Sequence, residues 1–386
     1  MKLGLLINEN YQYVLELFDK YRDTGLIITV IIDRDNLNEK IEILDNNIIK
    51  CSLKYFLMNM TSLVDGIFIV TKQVGFVQND CLSFYKAGIK NIFIPYPIVI
   101  EQKKDFFEGY NGMFSDKYIY RPSFTKPFIF RLETHSVDKC NLNCNGCNNM
   151  TPIDSYENEP NCDTFESDIC RLHDLFENIC IIGIQGGEPL LDIEKTLKFA
   201  KIARNYFPLS DIRVLTNGLL VPKTPKYFFD ELVKNNITIH LSVYKPTEKI
   251  MAQVISKFNE SKINYYIAGG GRKDIFYKRL TLKANNDEIY NNYNCISTNT
   301  HYIRDGIIWK CPSSALVKNI DNKFKTNLYN KFGGTNIYDV ENGWIILNKL
   351  CSPCYLCKNC SLKNRKSFEW SNDKEHKLSD WIIFDV

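Results

Sequence analysis

Cys140, Cys144 and Cys147 form a C-x3-C-x2-C run inside the segment that begins at Asp138. Three thiolates at this spacing can hold three of the four irons of a cuboidal 4Fe–4S cluster and leave one iron open for chemistry. A helix would also place positions i, i+4 and i+7 on one face, so buried core cysteines compete with this reading, as does structural zinc. The intervening Asn141, Asn143, Asn145 and Gly146 argue against the helix, because Asn and Gly favour turns over helix interiors.

A second set of thiols lies toward the C-terminus. Cys295 and Cys311 bracket Gly306 in a pattern that reads as two strands with the glycine at or near their turn, which brings both thiols to one end. Cys351, Cys354, Cys357 and Cys360 follow as three overlapping C-x2-C steps. Tetrahedral zinc and an iron–sulfur cluster both accept such ligands. Beside the first motif a cluster is the better fit, since zinc cannot move electrons.

The cysteine loop resembles the signature of the radical S-adenosylmethionine (radical SAM) superfamily, and Gly186-Gly187-Glu188-Pro189 resembles that family's GGEP segment. The family usually has an aromatic residue before the third cysteine, where this chain has Gly146. The resemblance implies that Gly186, Gly187 and Glu188 hold the methionyl amino group of S-adenosylmethionine. Glycine lets a backbone approach a ligand closely, and a carboxylate accepts hydrogen bonds from an ammonium. Thr216, Asn217 and Ser242 are further cofactor contacts by the same resemblance. The plainer reading of GGEP is a strand-to-helix turn with Pro189 opening a helix, and Thr-Asn-Gly is also a common turn. The C-terminal thiols look like a SPASM or twitch extension carrying one auxiliary 4Fe–4S cluster. By that resemblance Cys295 and Cys311 supply two ligands and Cys357 and Cys360 the other two. Cys354 can replace one of these, and Cys351 is the poorest candidate.

An α/β fold is expected to position these groups. From residue 1 to 125 strand-like runs alternate with helix-like ones: Lys2 to Ile7, Tyr11 to Tyr21, Leu26 to Ile32, Gly66 to Val70, Cys81 to Ala87 and Asn91 to Pro95. This reads as a small α/β domain with a mainly parallel sheet, and it resembles the Rossmann-like modules placed ahead of enzymes acting on nucleotide sugars and surface polysaccharides. No GxGxxG follows its first strand, so a dinucleotide site is not supported. Glu108 to Thr125 is the candidate linker.

A second series, over 126–285, has strands at Phe128 to Thr134, Ile179 to Gln185, Ile212 to Leu215, Ile237 to Val243 and Ile263 to Ala268. Helices are expected at Phe165 to Asn178, Ile193 to Tyr206, Pro225 to Asn235 and Glu248 to Glu260. Such repetition builds a full or partial barrel, whose chemistry collects at the C-terminal ends of the strands, and the family resemblance implies a partial (β/α)6 TIM-type barrel. The cysteine loop, GGEP, Thr216-Asn-Gly218 and Ser242 all fall at that rim. His135, ending the first strand, is a candidate substrate or proton contact. Gly269-Gly-Gly271 follows the fifth strand and reads either as backbone that can approach the adenine or as a flexible loop. Cys162, Cys170 and Cys180 read as small buried hydrophobes. Residues 286–386 form the cysteine-rich extension, with Trp370 and Trp381 in a packed tail.

A net charge of +3 spread over 386 residues leaves no electrostatic footprint for nucleic acid. The N-terminus reaches polar residues too soon for a signal peptide or a membrane span, so a cytoplasmic protein is expected. In a reducing compartment fourteen cysteines point to metal or redox chemistry rather than disulfides.

The expectation is therefore an enzyme that reductively cleaves S-adenosylmethionine to a 5′-deoxyadenosyl radical. The radical removes a hydrogen atom from a substrate C–H bond, in an oxidoreductase reaction on a sugar, cyclitol or nucleotide-sugar. An electron donor such as flavodoxin or ferredoxin is implied. A peptide-modifying maturase and a non-catalytic zinc or iron–sulfur module are the alternatives, and no acid or base can be named.

Overall fold

The computed structural model describes residues 2–7, 27–34, 41–44, 48–69, 77–95, 119–120, 122–272, 274–295, 297–373 and 375–384. The expected helix Tyr11 to Tyr21 and residues 108–118 and 121 of the expected linker lie outside them. The chain forms two compact units, Met1–Thr125 and Lys126–Val386.

In the first unit Leu3 to Ile7 are buried on both faces, as a central parallel strand requires. This strand, β1 (Lys2–Ile7), lies between β2 (Ile27–Asp33) and β5 (Gly66–Ile69), and pairs parallel with each. With β3 (Glu42–Ile43), β4 (Ile49–Ser52), β6 (Ile92–Pro95) and β7 (Ile119–Tyr120) the sheet order is β3-β4-β2-β1-β5-β6-β7. Only the two edge pairings are antiparallel. Helix α1 (Leu53–Asn59) starts where the Ser52 hydroxyl accepts the Tyr55 N–H at 3.2 Å, satisfying one of the orphan donors of a helix start. Helix α2 (Val77–Lys86) buries Val77, Cys81 and Phe84 at helical spacing, and Phe84 meets Phe56 edge to face.

The second unit begins with five successive parallel strands: β8 (Phe128–Val137), β9 (Asn178–Gly186), β10 (Asp211–Thr216), β11 (Ile237–Val243) and β12 (Tyr265–Arg272). Helices α3 (Cys162–Leu175), α4 (Ile193–Tyr206), α5 (Lys226–Lys234) and α6 (Met251–Ser261) connect them. Asn161 and Asp192 cap α3 and α4 by accepting backbone N–H groups of their first turns. One face of the sheet, with Ile182, Ile184, Ile212, Val214, Ile239 and Leu241, packs against Phe165, Phe199, Phe229 and Phe258 of the helices. Alternation along the strands gives the other face polar groups, among them Glu133, Gln185, Arg213 and His240.

The expected glycine loop is strand instead. β12 runs through Gly269, Gly270 and Gly271 to Arg272, which pairs with Val243 across a register irregularity. Glycine suits such a bulge because it has no side chain to place. The expected helix Glu248 to Glu260 is divided, with a short turn at Lys245–Glu248 ahead of α6. Cys180 is buried, as expected, but Cys162 and Cys170 are only half-buried.

β13 (Ile275–Lys278) leaves the sheet and pairs antiparallel with β17 (Lys366–Glu369). The sixth parallel strand does not follow the fifth in the sheet. It is β14 (Thr300–Arg304), beside β8 at the opposite edge, and it leads into β15 (Ile307–Trp309) and β16 (Thr335–Asn336). Asp305 and Gly306 join β14 to β15 with φ of 51° and 75°, the left-handed pair that a two-residue hairpin demands. The extension is thus continuous with the barrel sheet. Among the described residues, no helix is long and apolar enough to cross a membrane.

Candidate metal centres

The cysteine loop leaves the C-terminal end of β8 without helix or strand between Asp138 and Met150. Asn143, Gly146 and Met150 have φ near 55°, 62° and 54°, so the loop reverses repeatedly instead of forming a cysteine-lined helix. Gly146 also admits the C-terminal segment, because a Cβ there would come within 2.5 Å of the Phe368 ring and 2.7 Å of the Asp380 carbonyl oxygen. An aromatic residue at 146 could not fit in this chain; Phe368 occupies that place.

GGEP is bound to the same loop by backbone. Gly187 N–H donates to Val137 and Glu188 N–H to Lys139, each at 2.8 Å. A Cβ on Gly186 would overlap the Val137 carbonyl oxygen, and one on Gly187 that of Lys139. These glycines therefore serve an approach of chain to chain. Glu188 is fully buried. Its Oε1 accepts the Thr216 hydroxyl at 2.6 Å and Leu190 N–H at 3.0 Å, and its Oε2 accepts Asn217 N–H at 2.8 Å. Burial pushes its carboxyl up to about 7, against the pull of those donors. The Asn217 side-chain amide donates to Asn141 Oδ1 at 2.7 Å, so the Thr-Asn-Gly turn also reaches the cysteine loop. Ser242 is half-buried near the end of β11.

His135 and Asp138 lie on the same rim. His135 Nδ1 sits 2.9 Å from Asp138 Oδ1, and Arg304 on β14 donates to both Asp138 oxygens at 2.9 and 2.8 Å. Burial opposes the Asp138 charge, yet His135 and Arg304 together hold its carboxyl below the usual range. His135 is thereby fixed by a carboxylate that the sequence reading did not connect to it.

The three loop thiols suit a cluster with one open iron. Burial pushes Cys140 and Cys144 up to about 12 and raises Cys147 as well. Such thiols stay protonated in a bare loop, and iron displaces the proton when it binds. Trp370 Nε1–H donates to Cys144 Sγ at 3.1 Å.

Cys295, Cys311, Cys354, Cys357 and Cys360 line one cavity, together with Arg279 and Lys310. Five of the six extension thiols named from the sequence are thus brought together. The hairpin acts as expected: Cys295 precedes β14 and Cys311 follows β15, at the end opposite the Asp305-Gly306 turn. Cys354 and Cys357 have sulfurs 3.7 Å apart. A hydrogen bond from Cys354, and then the Arg279 charge, pull Cys311 down to about 5. Cys351 ends the helix Gly343–Cys351 and does not line the cavity. Among the described residues no three His, Cys, Asp or Glu side chains gather as the ligands of one metal ion. A four-iron cluster does not require that, since each cysteine binds its own iron. Sequence reasoning missed Arg279, Trp370 and the Asp138–Arg304 pair, none of which belongs to a spacing motif.

Residues 130–267 match the family described as a 4Fe-4S single cluster domain. No curated protein matches the chain. Among solved structures, the crystal structure of BtrN in complex with AdoMet and 2-DOIA is similar at 14% identity and a TM-score of 0.38, over 66% of this chain and 99% of that one. Native anSMEcpe with bound AdoMet is similar at 20% identity and a TM-score of 0.29, over 36% of this chain. The match spans less than half of that relative, 44% of its length. Streptococcus suis SuiB bound to S-adenosylmethionine is similar at 10% identity and a TM-score of 0.32, over 70% of this chain and 71% of that one.

Proposed function

We propose that this chain is a radical SAM enzyme with one auxiliary 4Fe–4S cluster, acting as an oxidoreductase on a small polyhydroxylated substrate of the sugar, cyclitol or nucleotide-sugar class. One observation carries the reading: the three-thiol loop, GGEP and the Thr-Asn-Gly turn are hydrogen-bonded to one another at a single rim of the barrel. Three cysteines leave one iron of a cubane without a thiolate. When bound, such a cluster supplies the single electron that cleaves S-adenosylmethionine to methionine and a 5′-deoxyadenosyl radical, which takes a hydrogen atom from a substrate C–H bond.

The chain's own residues divide the work. Cys140, Cys144 and Cys147 hold the cluster. Glu188 accepts three bonds from the chain, and a carboxylate offers about four acceptor sites, which leaves one for the methionyl ammonium. Gly186 and Gly187 bring that carboxylate beside the loop, and Thr216, Asn217 and Ser242 complete the cofactor contacts. Cys295, Cys311, Cys357 and Cys360 hold the auxiliary cluster, with Cys354 as the alternative ligand in the same cavity. The Asp138–Arg304 pair fixes His135 at the rim, where an imidazole can exchange a proton with substrate.

On the polar sheet face toward the rim, Gln185 donates to Glu133 at 2.7 Å, a pair that can meet substrate hydroxyls. A reducing partner such as flavodoxin or ferredoxin completes the cycle.

Anaerobic reconstitution, iron and sulfide counting and a 5′-deoxyadenosine assay test the proposal. About eight irons per chain with reductant-dependent deoxyadenosine is the expected result, from two four-iron clusters. Zinc with no deoxyadenosine would replace the enzyme with a metal-binding module. Turnover of a peptide, and of no sugar, would move the substrate class to peptides.

A further inference from the structure

The segment after β17 covers the cysteine loop. Phe368 on β17 pairs with Phe276 on β13 and fills the space beside Gly146. Trp370 is anchored through its backbone N–H to the Asp274 carbonyl at 2.7 Å and is 7% exposed. Asn145 N–H then donates to the Ser371 carbonyl at 2.9 Å, and Asp373 N–H to Asn145 Oδ1 at 2.8 Å. Asn143 Nδ2 donates to the Asp373 carbonyl at 2.8 Å, and Trp381 Nε1 to the Cys147 carbonyl at 2.9 Å. The bonds to the cysteine loop join residues more than two hundred positions apart in sequence. Of all these contacts, one reaches a thiol sulfur: the indole N–H of Trp370 lies 3.1 Å from Cys144 Sγ.

We propose that Trp370 is a positioning residue that sets the reduction potential of the loop's cluster through its N–H···S bond to Cys144. The inference rests on the function proposed above. An indole N–H only donates. A donor on a cluster thiolate stabilises the more negative, reduced form, and hydrogen bonds to the sulfurs are among the determinants of iron–sulfur potentials. The bond makes the cluster easier to reduce by one electron from an external donor. The clasp of Ser371, Asp373 and Trp381 holds the loop so that the indole stays aligned.

The test is an EPR-monitored redox titration of the full, anaerobically reconstituted chain with dithionite as reductant, following the signal that changes when S-adenosylmethionine is added. Trp370→Phe keeps an aromatic ring and removes the donor. The expected result is an equilibrium constant for reduction about tenfold lower, which is about 59 mV more negative for a one-electron couple. The same titration on protein carrying benzothienylalanine at 370, an isostere with sulfur in place of the N–H, gives the same shift without altering packing. An unchanged midpoint in either cluster-loaded protein overturns the proposal. So does loss of the cluster from the isostere, which would make the indole a structural support of the loop. A wild-type chain that loads no cluster overturns the function and this inference together, whereas a loaded wild type with an unmoved midpoint overturns the inference alone.

Discussion

Glu188 binds Thr216 through a 2.6 Å hydrogen bond, with the Asn217 N–H on its other oxygen at 2.8 Å. One buried carboxylate thus joins the ends of β9 and β10. Glu188→Ala strands three buried donors, each costing about 1 to 3 kcal/mol. A loss of about 3 kcal/mol in urea unfolding is expected, with loss of S-adenosylmethionine binding in equilibrium dialysis. An unchanged urea midpoint would show that the donors find other partners.

Arg304 grips Asp138 with one guanidinium nitrogen on both carboxylate oxygens, and its side chain is only 12% exposed. Removing one partner of a buried pair leaves the other charge uncompensated, typically at about 3 to 5 kcal/mol. Asp138→Asn should therefore destabilise the second unit and free the His135 ring. Arg304→Lys should cost less, since an ammonium keeps the charge but lacks the fork. The two urea midpoints rank the variants, and a larger loss for Arg304→Lys would contradict the assignment.

Five thiols face the cavity of the extension where a cubane needs four. Cys311→Ala should bring iron from about eight to about four per chain, by cluster stoichiometry. Of Cys354→Ala and Cys357→Ala, one retains the full count, because their sulfurs lie 3.7 Å apart and one of them suffices beside Cys295, Cys311 and Cys360. Cys351→Ala retains it as well. Iron and sulfide analysis of the four variants decides the ligand set, and a drop for Cys351→Ala would refute it.

The strands of the barrel were legible because buried parallel strands read as apolar runs with regular helical spacers. Ile237–Val243 and Ile193–Tyr206 begin and end where the pattern predicts. Spacing set the extension thiols apart, and five of them do meet at one cavity. The contacts of Trp370 and Arg279 were not legible, since Trp370 reaches Cys144 from a remote part of the chain and neither residue carries a periodic signal. Gly269 to Gly271 misled because glycine runs usually mark loops, and here strand pairing prevails over local preference. Nor could spacing place β14 beside β8, because the partner of a strand is a tertiary choice.

His301 supplies a prediction read from unfolding rather than from iron or turnover. It is fully buried on β14, where its Nδ1 lies 2.7 Å from the Lys310 carbonyl oxygen. Burial first, opposed by that hydrogen bond, brings the imidazole down to about 3 from its ordinary 6.5. A base whose folded value is depressed contributes stability that is fully present above the unfolded value and is lost as pH falls toward the folded one. The window for His301 is therefore pH 6.5 down to about 3. Between pH ~7 and pH ~5 the wild type should lose about 2 kcal/mol of stability that a non-titrating variant keeps, at about 1.4 kcal/mol per pH unit. His301→Asn retains a donor for the Lys310 carbonyl and cannot be protonated there. Urea unfolding of both proteins at the two pH values checks it: equal acid losses would show that the imidazole opens to water before it titrates.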